Sequence, residues 1–164
     1  MATSTLIQYL ETTAVNGLGV QVGVGPESMN RRQVETFLAK EALSAGDFVA
    51  FDLAATADGD VTIGVFKADG NSAPVRTPFG VALAAASSGS KVEVCIGGVC
   101  DALVAANATG VDFPVGALLQ VTNNAGECGV ASAASAQPVA AILAEVQPNG
   151  AGAQLRRVVV RKSF

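Results

Sequence analysis

The chain has 164 residues, a length at which one domain can bury a core without metal ions or disulfide bonds. Half of its residues are hydrophobic, whereas only 5% are aromatic, and it contains neither tryptophan nor histidine. The formal net charge of −4 argues against a nucleic-acid partner, because phosphate contacts need an extended basic face. The lack of histidine excludes the usual Ser–His and Cys–His mechanisms and weakens any zinc site. We therefore expect no enzyme, no cofactor and no metal site.

Residues 1–26 are predicted to form an extended N-terminal arm. The first ten residues contain no cation, and no apolar run of the chain reaches the ~20 residues of a spanning helix, so we expect neither a secretory signal nor a membrane partner. Strand alternation places Val20, Val22 and Val24 on one side with only Gly and Gln opposite, too little for an independent hairpin. We predict that the arm becomes ordered on a partner, with Leu18 and those three valines as contacts. The alternative is an edge strand folded onto its own domain.

Residues 27–164 are predicted to form one β-rich body. Residues 34–39 fit a helical face or a strand, and we favour a strand. Further short apolar runs alternate with Gly, Asn and Asp turns, a pattern typical of strands. These predicted strands are 48–53, 61–66, 79–83, 91–96, 116–121, 139–146 and 158–162. A turn signal every dozen or so residues predicts an all-β fold, either a small β-barrel or β-tulip-like body or a sandwich.

Two of these strands show the alternation of a sheet with one buried face. Val61, Ile63 and Val65 share one side of the first, and Val92, Val94 and Ile96 share one side of the second. Three pairs of segments also resemble each other: Gly46–Val49 and Gly116–Leu119, Gly80–Leu83 and Ala140–Leu143, Lys91–Val94 and Arg157–Val160. Because the spacings between the pairs are unequal, we interpret this similarity as chance.

The three cysteines, Cys95, Cys100 and Cys128, are an odd set without CxxC spacing, and free, partly buried thiols are the first interpretation. A disulfide from Cys95 or Cys100 to Cys128 is the alternative, and the sequence does not choose between them.

Carboxylate pairs are the remaining route to catalysis. Asp47 with Asp52, or Glu93 with Asp101, could serve a hydrolase, but a turn or a solvent face already explains each position.

The C-terminal strand is basic. Four of the ten cations lie in the last nine residues: Arg156, Arg157, Arg161 and Lys162. The first interpretation is a charged strand that resists edge-to-edge aggregation. The alternative is a docking strand for an acidic partner, with Arg156, Arg157 and Arg161 as contacts.

Three segments of residues 41–104 carry a resemblance to a known family. EALSAGDFV at 41–49, PFGVALA at 78–84 and GSKVEV at 89–94, followed by Gly97, occur in an order that resembles the decoration or cement proteins of tailed phages. Those are small capsid-stabilising and head-fibre proteins with β-barrel or β-tulip bodies. The resemblance implies a protein made in the host cytoplasm and placed on the outer surface of an icosahedral head. Its partners would be the major capsid protein and neighbouring copies of itself, commonly in a homotrimer.

A receptor- or carbohydrate-binding β module of a fibre or cell surface is the alternative function. Such modules usually bind sugars on aromatic platforms, and this chain has one tyrosine and no tryptophan. A small enzyme or a nucleic-acid protein on a β-barrel is the second alternative, against which the missing histidine and the acidic body argue.

Overall fold

The prediction of an all-β fold is confirmed. The computed structural model describes residues 14–15, 21–22, 32–52, 63–72, 75–131 and 139–161, and the chain divides into two compact units, Met1–Arg31 and Arg32–Phe164. In the first unit, β1 (Ala14–Val15) pairs antiparallel with β2 (Gln21–Val22), so the predicted arm contains a minimal strand pair. The strands of the second unit are β3 (Gln33–Ala39), β4 (Phe48–Phe51), β5 (Gly64–Lys67), β6 (Gly80–Ala82), β7 (Lys91–Val104), β8 (Leu118–Val121), β9 (Cys128–Val130), β10 (Val139–Leu143) and β11 (Gln154–Val160).

The long strand β7 is shared by two closed rings of five strands. In ring 1, the first part of β7 pairs with β3, and the order continues through β5, β4 and β6 back to β7. In ring 2, the second part of β7 pairs with β11, and the order continues through β10, β8 and β9 back to β7. Both rings contain one parallel contact, β3 with β5 and β7 with β9, and all their other contacts are antiparallel.

The two rings repeat each other in register as well as in strand order. Phe48 lies opposite Val81 in ring 1 as Leu118 lies opposite Ile142 in ring 2. Most of the other cross-strand pairs correspond in the same way, so the paired strand residues of one ring have structural equivalents in the other. All three pairs of similar segments lie on equivalent parts of the rings, but only Gly46–Val49 and Gly116–Leu119 correspond residue by residue, whereas the other two pairs are displaced from the structural register by one and two residues. The rings are a structural repeat, which the interpretation as chance did not predict. The spacings are unequal because equivalent loops differ in length.

The turn before β4 and β8 shows the same correspondence. Gly46 and Gly116 have φ angles of 91° and 92°, a region that favours glycine. The N–H of Gly46 donates to the carbonyl of Ala82, and the N–H of Gly116 donates to that of Leu143, each at 2.8 Å. One backbone requirement thus accounts for the glycine at both places.

The cores of the two rings are filled differently. Ring 1 encloses a cluster that includes Phe37 and Phe79, against which Phe51 packs; the rings of Phe51 and Phe79 stack at 3.8 Å between centroids. The inner residues of ring 2 are smaller and share one cluster with the outer face of ring 1, from which Phe48 and Val81 contribute fully buried side chains. Ring 1 therefore completes the core of ring 2.

Several strand predictions need correction. Of the predicted face of strand 61–66, Val61 lies outside the described residues, Val65 is buried, and Ile63 is 48% exposed and precedes β5, so Ile63 and Val65 do not share a buried face. The strand β9 was not predicted, because three residues give no alternation to detect. The predicted strand 91–96 is only the first part of β7, which continues through Gly97 and Gly98 to Val104, with a register shift in the pairing of β3 with β7 near Gly97.

Candidate interaction surfaces

Three exposed valines lie in two loops at one end of ring 2. Val111 and Val115 follow β7, and Val146 follows β10; their side chains are 65%, 60% and 46% exposed. Between them, the N–H groups of Phe113 and Gln147 each donate to the carbonyl of the other, at 2.9 and 3.1 Å. These bonds hold both loops side by side at the same end of ring 2, which we call the valine end.

Two buried amides hold the valine end in place. Asn107 is 1% exposed, and its Nδ2 donates to the carbonyls of Val111 at 2.9 Å and Gln147 at 3.2 Å. The fully buried side chain of Gln147 donates from Nε2 to the carbonyl of Ala105 at 2.8 Å. Because burial strengthens such bonds and makes their loss costly, these loops have a fixed conformation under the exposed valines.

The equivalent end of ring 1 has one carboxylate and two smaller apolar side chains at these positions. The residues equivalent to Val111, Val115 and Val146 are Glu41, Ala45 and Ala85. The Oε1 atom of Glu41 accepts a hydrogen bond from the Lys67 N–H at 2.6 Å and lies 3.8 Å from Nη1 of Arg76. The guanidinium of Arg76 in turn lies 4.1 Å from the centre of the Phe66 ring. The shared fold therefore does not require valines at these positions.

The basic strand β11 is not an edge strand. It pairs with β7 along its whole length, and Val158–Val160 pair with β10 on the other side. The backbone N–H of Arg157, beyond the end of β10, donates to Oε1 of Glu145 at 2.9 Å. The interpretation of β11 as a charged edge was therefore wrong.

The three predicted arginine contacts do not form one patch. Arg156 is equivalent to the core residue Val92; its side chain is only 20% exposed, and its Nη1 lies 3.7 Å from Oε1 of Glu145. Arg157, on the other side of the strand, is 64% exposed, with Nε 3.9 Å from Oδ1 of Asp101. Arg161 is exposed just after β11. Their role as partner contacts stays a prediction.

One of the four predicted arm contacts, Val22, is among the described residues. Leu18, Val20 and Val24 lie outside the described residues. Val22 belongs to β2, where its backbone pairs with Ala14.

All three cysteines are free, as predicted, and all three are buried. The Cys100 thiol is hydrogen-bonded to Cys95 and lowers the pKa of Cys95 to about 7, although burial acts in the opposite direction. The same hydrogen bond and burial raise the pKa of Cys100, and burial raises that of Cys128. The two neighbouring thiols are thus Cys95 and Cys100, and neither is paired with Cys128.

The described residues include no group of three or more His, Cys, Asp or Glu side chains arranged to hold a metal ion. Within the same residues, no helix is long and apolar enough to cross a membrane.

No protein-family model matches the chain, and no curated protein matches it either. Among solved structures, the chain is similar to the head fiber gp8.5 N base of bacteriophage phi29, with a TM-score of 0.48 and 21% sequence identity. The similarity covers 81% of this chain and 97% of that one.

Proposed function

We propose that this chain is a structural protein of a phage virion, a decoration or cement protein that binds the outer surface of an icosahedral head. In this role it bridges neighbouring major capsid subunits. The observation that carries the proposal is the valine end of ring 2, a fixed apolar surface on a β body. The order of segments in residues 41–104 that resembles cement proteins supports the choice of partner.

The valine end has the properties of a binding surface. Exposed apolar side chains that lie together mark interaction sites more often than exposed apolar residues that lie singly. The buried bonds of Asn107 and Gln147 fix the loops before binding, so little conformational entropy is lost when a partner docks. The contrast with Glu41, Ala45 and Ala85 in ring 1 shows that the fold can be built without such a surface.

Binding of this kind stabilises a shell by mass action. A protein that binds the assembled lattice and not free subunits shifts the equilibrium away from disassembly. Many copies that each span a subunit boundary add avidity to modest individual contacts.

The test is co-sedimentation with undecorated heads of the virus that encodes the chain. In the double variant Val115→Asp/Val146→Asp, charges replace two valines that are 60% and 46% exposed, so folding should be retained. We expect its affinity for heads to fall at least about tenfold, because a buried, unpaired carboxylate at an interface costs more than 1.4 kcal/mol.

The internal repeat supplies the matched control. The variant Ala45→Asp/Ala85→Asp places the same two charges at the equivalent positions of ring 1 and should bind heads like the unmodified chain. Equal binding by both double variants would show that the valine end is not the capsid contact. Binding to glycans without co-sedimentation would instead identify a receptor- or carbohydrate-binding module.

A further inference from the structure

Four apolar side chains form a row across the outer face of ring 2. Strand register places Val99 beside Val159, Val159 beside Ile142, and Ile142 beside Leu118. Leu118 is 43% exposed, and the other three are partly exposed. We call these four residues the outer row.

The same row in ring 1 is largely covered. Its residues, equivalent to Val99, Val159, Ile142 and Leu118, are Val34, Cys95, Val81 and Phe48. The last three are 0% exposed because they pack into the cluster shared with ring 2. In ring 1, therefore, the apolar row is the surface on which ring 2 packs, and ring 2 has the same strand order and register as ring 1.

The contact in ring 1 includes a main-chain bridge. The N–H of Phe48 donates to the carbonyl of Gly126 at 2.9 Å, and the N–H of Gly126 donates to that of Ala68 at 2.8 Å. In ring 2, Leu118 and Ala131 are the equivalents of Phe48 and Ala68, and Ala131 donates to the carbonyl of Leu118 at 2.7 Å. No residue among those that the structure describes bridges Leu118 and Ala131 as Gly126 bridges the pair in ring 1.

Ring 1 carries an exposed apolar residue at the position that makes this bridge. Ile63 is the equivalent of Gly126, since Val65 and Cys128 correspond, and its side chain is 48% exposed. A Cβ atom on Gly126 would lie 2.9 Å from Oδ1 of Asp47. The equivalent of Asp47 in ring 2 is Ala117, which leaves room for a larger apolar side chain and offers it no carboxylate.

We propose that the outer row of ring 2 binds a second copy of this chain, whose ring 1 docks through Ile63 as ring 2 docks on ring 1 within one chain. Leu118 of one copy then packs against Ile63 of the next. Gly126 has a φ of +83°, which a β-branched residue rarely adopts, so the contact involves the Ile63 side chain rather than the same main-chain bridge. The proposal concerns self-association and does not rest on the capsid as partner.

Such an interface is heterologous. Each copy uses the outer row at one end and Ile63 at the other, so an assembly closes into a ring or grows as a filament. The two surfaces of the contact can therefore be tested separately, because a variant that loses the outer row keeps Ile63 and a variant that loses Ile63 keeps the outer row.

The experiment measures the mass of the full chain by light scattering after size exclusion, over a range of concentrations. We expect the unmodified chain to be larger than a monomer. Leu118→Arg and Ile63→Arg should each weaken self-association at least about tenfold, since a charge replaces an apolar contact. The control Val115→Arg changes a residue that is 60% exposed at the valine end and should leave the mass unchanged.

Mixing the two variants is the decisive step. Leu118→Arg retains Ile63 and Ile63→Arg retains Leu118, so the mixture should form dimers of one copy of each and stop there. Circular dichroism and thermal melting of each variant check that it is folded. A monomeric unmodified chain at about 100 µM, folded single variants that still assemble, or a mixture without dimers would each overturn the proposal; 100 µM exceeds the Kd of most specific self-association.

Discussion

Ring 1 and ring 2 have the same strand order and register, yet they obtain their cores in different ways. Ring 1 contains Phe37, Phe51 and Phe79, whereas the equivalent residues of ring 2 are Ala102, Val121 and Ala140. The smaller residues leave ring 2 short of apolar volume, and the outer face of ring 1 supplies it. The comparison indicates that the pairing pattern is set by the backbone and the turns, while core volume can be shared between neighbouring rings.

Because ring 2 depends on ring 1 for its core, we expect substitution of Phe48 to be costly. Phe48 is 0% exposed and contributes to the core of ring 2, while its equivalent Leu118 is 43% exposed. We expect Phe48→Ala to lower the free energy of unfolding by about 3–5 kcal/mol and Leu118→Ala by less than about 1 kcal/mol. Urea denaturation of both variants measures the difference. Similar losses would mean that the two faces are not buried differently in solution.

The same comparison shows what the sequence can predict. The first part of β7 was predicted at Lys91–Ile96 because Val92, Val94 and Ile96 alternate with Lys91, Glu93 and Cys95. The three apolar residues are buried as expected, but Cys95 on the opposite face is also 0% exposed, because it packs into the cluster shared with ring 2. The repeat was interpreted as chance because the spacings between the similar segments are unequal. Few equivalent residues are identical; Gly46 and Gly116 are an exception, since their turn requires a positive φ. Register depends on the pattern of apolar and turn residues rather than on identity, so two rings can match without similar sequences.

The valine end could not be predicted for a different reason. Val111, Val115 and Val146 are common residues in loops, and 31 or more positions separate the first two from the third. Their loops are brought together by contacts between residues far apart in the sequence, such as the backbone pairing of Phe113 with Gln147 and the hydrogen bonds of Asn107 to Val111 and Gln147. The three valines stand out only when they are compared with Glu41, Ala45 and Ala85 at the equivalent positions of ring 1. That comparison requires the structural equivalence of the two rings.

A buried ion pair is a second difference between the rings. Asp47 accepts a hydrogen bond from the Ser44 N–H at 2.7 Å, and its Oδ2 lies 3.1 Å from Nζ of Lys67. The equivalent residues of ring 2 are the apolar pair Ala117 and Val130. Ring 1 therefore uses charge where ring 2 uses two small hydrophobic side chains.

Removing one member of this pair should be costly. The side chain of Asp47 is 3% exposed and that of Lys67 is 25% exposed, so Asp47→Ala leaves a partly buried ammonium without its carboxylate. We expect a loss of about 2–3 kcal/mol in the free energy of unfolding. The double variant Asp47→Ala/Lys67→Val introduces into ring 1 the residue types that ring 2 has at these positions. In urea denaturation it should recover at least half of the lost free energy of unfolding. A double variant no more stable than Asp47→Ala would show that the ion pair is not replaceable by apolar contact.

The third difference between the rings is in the apolar rows. Cys95 in the covered row of ring 1 is the equivalent of Val159 in the outer row of ring 2. The hydrogen bond from Cys100 lowers the pKa of Cys95 from 9.0 to about 7 in the folded protein. Because the folded pKa is the lower one, this stabilisation is complete above pH 9, falls as pH decreases, and is lost below pH 7.

The free energy of unfolding should therefore rise between about pH 6.5 and pH 8.5 by an amount on the order of 2 kcal/mol under reducing conditions. Few other groups titrate in this range, since the chain has no histidine. The variant Cys95→Val places the residue of ring 2 at this position and should remove the rise, whereas Cys128→Ala should keep it, because burial holds the Cys128 thiol protonated by raising its pKa. If Cys95→Val shows the same pH dependence as the unmodified chain, the thiol pair does not account for it, and the covered row is stabilised by packing alone.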